Sequence, residues 1–389
     1  MFSTRLPSRL APNALASAVD ARREAGRPFL DLTCSNPTGV GLPYPPGLLG
    51  ALGADAGVRY RPEPRGLAEA RAVVAAGYGE LAHVDPGSIV LTASTSEAYA
   101  WLFKLLCDPG ADVLVPQPSY PLFDLLTRLE GVTARPYHLE YHGVWALDRR
   151  SVERATSAAT RAVLVVSPNN PTGSCLRAAD REWLVSHAAS RRLALISDEV
   201  FADYPLARRP DATSLLGEAR ALTFTLGGLS KSAGLPQVKL GWIVASGPAG
   251  DVAAALERLD VISDSYLSVS TPVQAAAPAL LEAGLAIRRA IHARVRRNLD
   301  ALRAAVTARP DVTLLDPEGG WSAVLRVPAV ATEQAIVLRL LDEAGVLVHP
   351  GYFFDFPREA YLVVSLLPEP AAFDEAAGRL LSLVSGAAA

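Results

Sequence analysis

The sequence predicts an α/β protein: a mostly parallel sheet covered by helices on both faces, followed by a smaller α+β domain. Three observations carry this. Between residues 88 and 245, short apolar runs alternate with amphipathic stretches of helix length. Polar residues follow several of these runs directly. Beyond about residue 275 the texture changes to Ala- and Arg-rich helix, then to strands mixed with helices. Apolar runs of that kind are buried on both faces, as strands between two helical layers must be.

The runs at 89–91, 113–115, 163–166, 193–196, 222–226 and 241–244 are the expected strands. Open sheets of this type bind ligands at the carboxyl ends of their strands. Thr95 and Ser96, residues 118–120, residues 169–173, Asp198, and Ser230 with Lys231 occupy those places. Ile291, Val295, Leu299 and Leu302 then repeat at helical spacing, and strands are expected near 312–315, 321–327, 346–349 and 361–366. There is no internal repeat.

The 389 residues carry 37 basic and 40 acidic side chains, a net charge of −3, which disfavours nucleic acid as a partner. Only three of the basic residues are lysines (Lys104, Lys231, Lys239); the remaining 34 are arginines. Residues 1–9 contain arginines but no apolar leader, and no segment approaches 18 uninterrupted apolar residues. A cytoplasmic chain without a membrane partner is expected. Cys34, Cys107 and Cys175 have no paired spacing, and each is expected as a small, reduced core residue.

Two motifs mislead. His138 and His142 suggest a metal pair, but the segment follows Pro136 and alternates like a strand. Residues four apart on a strand stand roughly 13 Å apart, so no metal site is expected. Gly227-Gly228-Leu229-Ser230-Lys231-Ser232 resembles the end of a nucleotide phosphate loop, which needs glycine where Ser230 stands.

The segments Ser167-Pro168-Asn169-Asn170-Pro171-Thr172-Gly173, Ser197-Asp198-Glu199, Leu229-Ser230-Lys231-Ser232 and Lys239-Leu240-Gly241-Trp242 occur in that order. Together they resemble the class I/II aminotransferases, fold type I enzymes that depend on pyridoxal 5'-phosphate, from about residue 30 to the C-terminus. The resemblance implies a seven-stranded type of large-domain sheet. It implies an N-terminal arm and part of the small domain in 1–45, a cofactor-binding domain in 46–280 and a small domain in 281–389.

It also implies roles. Lys231 forms the Schiff base, for which arginine cannot serve, and shuttles the proton. Asp198 keeps the pyridine nitrogen protonated, and Asn170 donates to the phenolic oxygen. Tyr120 stacks on the ring. Thr95 and Ser96 bind phosphate at a positive helix end, with Ser230 and Lys239 nearby. Tyr60 reaches the neighbouring site of a homodimer. Asn36, Asn170, Trp321 and Tyr352 are candidate substrate contacts, Tyr266 a further aromatic one. The substrates implied are an amino donor and a 2-oxo acid acceptor.

Departures from the family pattern are informative. Lys239 replaces a phosphate-binding arginine, and Gly228 a phosphate-binding serine. Phe201 replaces a tyrosine that donates to the phenolic oxygen; with one donor fewer, the lysine–cofactor linkage is expected to hold its proton to higher pH. Val363, in Tyr361-Leu362-Val363-Val364-Ser365, stands where an arginine clamps the substrate carboxylate, and no arginine lies in 361–368. Either Asn170, backbone near Ser35-Asn36-Pro37, Arg358 or Arg326 takes over, or the substrate presents another group there. The stretch 261–274 also lacks arginine, which does not support a dicarboxylic donor. Transamination is the leading expectation, with carbon–sulfur lyase or other elimination chemistry as the alternative. A regulator without turnover is the third reading; such regulators carry a DNA-binding module ahead of this region, for which the roughly 30 preceding residues are expected to leave no room.

Overall fold

The computed structural model describes residues 2–7, 10–79, 81–207 and 211–386. A short strand, β1 (Leu30–Asp31), precedes the large sheet. That sheet is formed by β2 (Ile89–Thr92), β3 (Asp112–Gln117), β4 (Thr133–Tyr141), β5 (Trp145–Leu147), β6 (Thr160–Val166), β7 (Ala194–Asp198), β8 (Thr223–Gly228) and β9 (Gly241–Ser246). Its spatial order is β2-β9-β8-β7-β6-β3-β4-β5. From β8 across to β4 every pairing is parallel, whereas β9 runs antiparallel to both β2 and β8. The resemblance implies seven strands and there are eight. The extra one, β5, is three residues that fold back antiparallel on the edge of β4.

Alternation along β6 shows why the apolar runs are continuous. Ala162, Leu164 and Val166 pack with Tyr99, Leu102 and Leu259, from helices Thr95–Leu106 and Ala249–Tyr266. Val163 and Val165 face the other way, toward Leu184, Val185 and Ala188 of helix Ala178–Arg191. Both faces are therefore dry. His138 lies on β4, and His142 just beyond it contacts Glu140 at 3.0 Å.

Helix Thr271–Thr307 spans 37 residues, about 55 Å at 1.5 Å per residue, and the expected boundary at 280/281 falls inside it. Beyond it come β10 (Thr313–Leu315), β11 (Ser322–Arg326), β12 (Val346–Leu347), β13 (His349–Pro350) and β14 (Tyr361–Ser365). Four of these form an antiparallel sheet in the order β10-β11-β14-β13, and β12 pairs in parallel with β1. The Ser365 N–H donates to Leu32 O at 2.6 Å, and its hydroxyl to Cys34 O at 2.6 Å. The N-terminal segment is thus fastened to the small sheet.

All three cysteines are partly buried rather than core residues. Each stands just past an element or turn, where packing is open on one side. No helix among the described residues is long and apolar enough to cross a membrane.

Candidate active site

A cavity of about 390 Å³ opens where β6, β7 and β8 end, beneath the first turn of helix Thr95–Leu106, and the small sheet closes its other side. At that helix start, Ser94 Oγ accepts the Glu97 N–H at 3.2 Å, and Glu97 Oε2 reaches back to the Ala93 N–H at 2.6 Å. This serine and glutamate fix the cap. The first N–H groups of a helix have no intrahelical acceptor, and Thr95 and Ser96, at that position, line the cavity. Strand β9 passes close beneath: a Cβ on Gly241 would stand 3.0 Å from the Ser94 carbonyl carbon and 3.2 Å from Thr95 N, so a larger residue there would displace the loop.

Asp198 ends β7 as a buried carboxylate. Tyr99 donates its hydroxyl to Oδ2 at 2.6 Å, and the Val200 N–H donates to Oδ1 at 3.1 Å. Burial raises its pKa above the usual carboxylate range, against the pull of those two donors and of Lys231. Tyr99 was not anticipated from the sequence. It lies four residues after Thr95, on the same helix face, which is the signal that points to it.

Lys231 follows β8 on the short helix Leu229–Ser232. Its Nζ sits 4.9 Å from the Trp321 ring centroid and 5.5 Å from that of Phe201. The two rings meet edge to face at 5.3 Å. Burial lowers the Lys231 pKa, and the Asp198 charge opposes this. Its carbonyl accepts the Tyr204 hydroxyl at 2.5 Å, anchoring the backbone beneath the amine.

Tyr120 and Asn170 enter from neighbouring turns that one side chain ties together. Asn169 Oδ1 accepts the Ser119 hydroxyl at 2.6 Å, and Asn169 Nδ2 donates to Pro118 O at 3.0 Å and Thr172 Oγ1 at 2.8 Å. Asn169 is buried and positions both cavity residues; the sequence reading did not single it out. Gly173 closes the turn at φ 68°, a conformation that disfavours any side chain. A Cβ there would lie 2.6 Å from Gly319 O. Its carbonyl accepts both the Glu318 and the Gly319 N–H at 3.0 Å, which latches the turn to the loop leading into Trp321.

Lys231, Asp198, Thr95, Ser96, Tyr120, Asn170, Ser230, Lys239 and Trp321 all line this one cavity. Tyr60, expected at the neighbouring site of a dimer, is 71% exposed and lines a separate depression with Arg61 and Ser270. Three residues expected at this site lie outside the cavity. Asn36 turns its Oδ1 to the Thr38 N–H and hydroxyl, at 3.0 and 2.8 Å. Tyr352 is 40% exposed on a turn of 3-10 helix and stacks edge-on against Phe353. Tyr266 is also exposed, beside Trp101 on the far face of helix Thr95–Leu106. The wall contributed by the small sheet consists of Trp321, Ser322, His349, Phe354, Val363 and Ser365.

The sequence matches the family described as "Aminotransferase class I and II" over residues 51–380. The chain belongs to that family. The alanine aminotransferase of Mycobacterium tuberculosis is 27% identical over 366 residues, covering 90% of this chain and 84% of the relative. An S-alkyl-thiohydroximate lyase of Arabidopsis thaliana is 30% identical over 234 residues, 58% of this chain and 50% of the relative. The crystal structure of a Pyrococcus furiosus alanine aminotransferase superposes with a TM-score of 0.90 over 99% of this chain and all of the other, at 23% identity. The fold is fold type I.

Within the aminotransferase pattern, the departure at Gly228 has a local cause. At position 228 the backbone is extended against β9, and a Cβ would stand 3.2 Å from Leu240 O, so there is little room for a serine. Lys239 takes a left-handed backbone, φ 61°, uncommon for a residue with a side chain. The departure at Val363 is not compensated by another arginine. Arg326 and Arg358 are exposed and outside the cavity, and no arginine among the described residues lines it.

Proposed function

We propose that the protein is a pyridoxal-phosphate-dependent transaminase that moves an amino group between an amino acid or related amine and a 2-oxo acid by a ping-pong route. The observation that carries this is the buried Lys231 amine in one cavity with buried Asp198 and a capped helix start. The residues fit the cofactor: a primary amine for its aldehyde, a carboxylate for its ring nitrogen, helix N–H groups and Lys239 for its phosphate. When bound, pyridoxal phosphate supplies an electron sink for the pair released at the substrate carbon.

The chain's own residues do the rest. Lys231, its pKa lowered by burial, would supply the neutral amine for the cofactor's aldehyde and, once substrate has freed it, would move the proton. Asp198 holds a proton on the ring nitrogen; the Tyr99 hydroxyl fixes the carboxylate's orientation. Tyr120 flanks the ring, and Asn170 donates to the phenolic oxygen, where Phe201 has nothing to give. Thr95, Ser96, Ser230 and Lys239 receive the phosphate. A division into an arm (1–45), a cofactor domain (46–280) and a small domain (281–389) is part of this reading, supported by the separate eight-stranded and four-stranded sheets. So is a cytoplasmic location. We assign Tyr60 to the neighbouring site of a homodimer, a reading supported by its exposure beside Arg61.

Amino acids added one at a time to the cofactor-loaded protein test the reading: the pyridoxamine form must accumulate with at least one of them. Formation of a 2-oxo acid and ammonia without that form would instead support elimination. This second reading is favoured by one observation, the 30% identity to the plant lyase.

A further inference from the structure

The small-sheet wall has one titratable side chain among the described residues, His349. In the antiparallel pair β13–β14, His349 stands directly opposite Val363. Partners in such a pair point to the same face with Cβ atoms about 4.5–5.5 Å apart. His349 therefore presents its imidazole from the neighbouring strand to the patch that an arginine at 363 would serve.

The imidazole is uncommitted. Its Nδ1 is buried without a hydrogen-bond partner, and no protein group among the described residues bonds its Nε2. Buried polar atoms in folded proteins are rarely left unsatisfied, and each exception needs a reason. Around it the wall is largely apolar: Phe354 meets the ring edge to face at 5.7 Å, and Trp321 and Val363 share the surface with the hydroxyl-bearing Ser322 and Ser365. The other cations in the lining, Lys231 and Lys239, are assigned to the cofactor.

We propose that His349 receives the acid group of the substrate, which makes the preferred substrate a monocarboxylate with an apolar side chain. The inference rests on the transaminase reading and specifies its substrate class. A second acid group finds no further cation in the described lining, so dicarboxylates are disfavoured.

Proton linkage follows from the surroundings. Burial lowers the His349 pKa, and Asp31 on β1 acts against that. The other ionisable groups that line the cavity with it are Lys231, Lys239, Asp198, Tyr99 and Tyr120; on the elements packed behind its strand stand Glu333 of helix Glu333–Arg339 and Tyr361 of β14. Glu333 accepts the Tyr352 and Tyr361 N–H groups at 2.7 and 2.8 Å. A lowered pKa favours the neutral ring at neutral pH before substrate binds, and an arriving carboxylate raises its affinity for a proton. Binding then takes up a proton, and affinity falls as pH rises.

The test is calorimetric titration of the cofactor-loaded protein with 3-phenylpropionate, an unreactive monocarboxylate, in buffers of different ionisation heat. The wild type is expected to take up a proton and to bind more weakly at higher pH. His349→Phe is expected to bind about tenfold to a hundredfold more weakly, as for loss of a charge-assisted bond, with no proton uptake. His349→Gln keeps a donor and is expected to retain part of the affinity, also without uptake. Visible absorption of the bound cofactor verifies that each variant is folded. Wild-type affinity and proton uptake in both variants overturn the proposal. Lys231→Ala separates it from the reading beneath it: amino transfer is lost there, whereas proton uptake on binding the probe remains.

Discussion

The two walls of the cavity are built by different rules. The large-sheet wall is polar, and its groups are held by hydrogen bonds: Tyr99 on Asp198, Tyr204 under Lys231, Asn169 across two turns. The small-sheet wall is largely apolar, and Trp321 Nε1 and His349 Nδ1 are buried without partners. One side is finished before any ligand arrives. The other is completed by what it binds. Chemistry is thus fixed by the first wall and selection of substrate by the second, which is where this chain departs furthest from its family.

The largest expected effect falls on the polar wall. Lys231→Ala removes both the attachment point and the proton carrier, and stopped-flow measurement of the half-reaction is expected to show a loss of at least about 10²–10⁴-fold. If a change on the apolar wall costs as much in rate, the division of labour is wrong. Asp198→Asn comes next, with a loss of about 10²–10³-fold in the same step while binding of 3-phenylpropionate is spared. Weakened binding of the probe would show that the walls are coupled.

On the apolar side, Val363 is only 2% exposed and clusters with Trp145, Val324, Phe354 and Phe356. Val363→Arg is expected to lower stability by about 1–3 kcal/mol in urea unfolding, as overpacking does, instead of restoring a carboxylate clamp. A stable variant with tighter monocarboxylate binding would show that the wall kept room for arginine.

The smallest effects are in pH dependence. Neutral amine is the nucleophile, and the Lys231 pKa is lowered. The rate of cofactor capture, followed by visible absorption, should rise with pH and level off below the usual lysine range. Asp198→Asn removes the charge that opposes this lowering, so the inflection should move lower still. Phe201→Tyr returns a donor to the phenolic oxygen and should move the pH midpoint of the bound cofactor's absorption downward; an unchanged midpoint removes Phe201 from the account.

The polar wall was legible in the sequence because its residues follow directly on apolar runs. Asp198, Asn170, Thr95 and Lys231 each sit within four residues of a strand end, where a parallel sheet exposes them. Tyr99 and Asn169 were missed although they lie in the same short segments, because their work is to hold a neighbour in place. The apolar wall was less legible. That Val363 faces the cavity and has His349 beside it depends on the register of β13 against β14, across a turn that spacing alone does not fix. Asn36 and Tyr352 were misplaced for the same reason: proximity in sequence to a cavity residue does not decide which way a turn points its side chain.

The Gly173 carbonyl is one of several ties between the two walls: its oxygen takes both the Glu318 and the Gly319 N–H, while Tyr204 O takes the Gly320 N–H and Phe354 O takes the Ser119 N–H. In mechanical terms the walls are riveted at both ends. Trp321, two residues beyond Gly319, is held close to the first ties, and Phe354, whose ring meets that of His349, sits at the other. The spacing between the Lys231 amine and the His349 ring is therefore set by fixed backbone before substrate arrives.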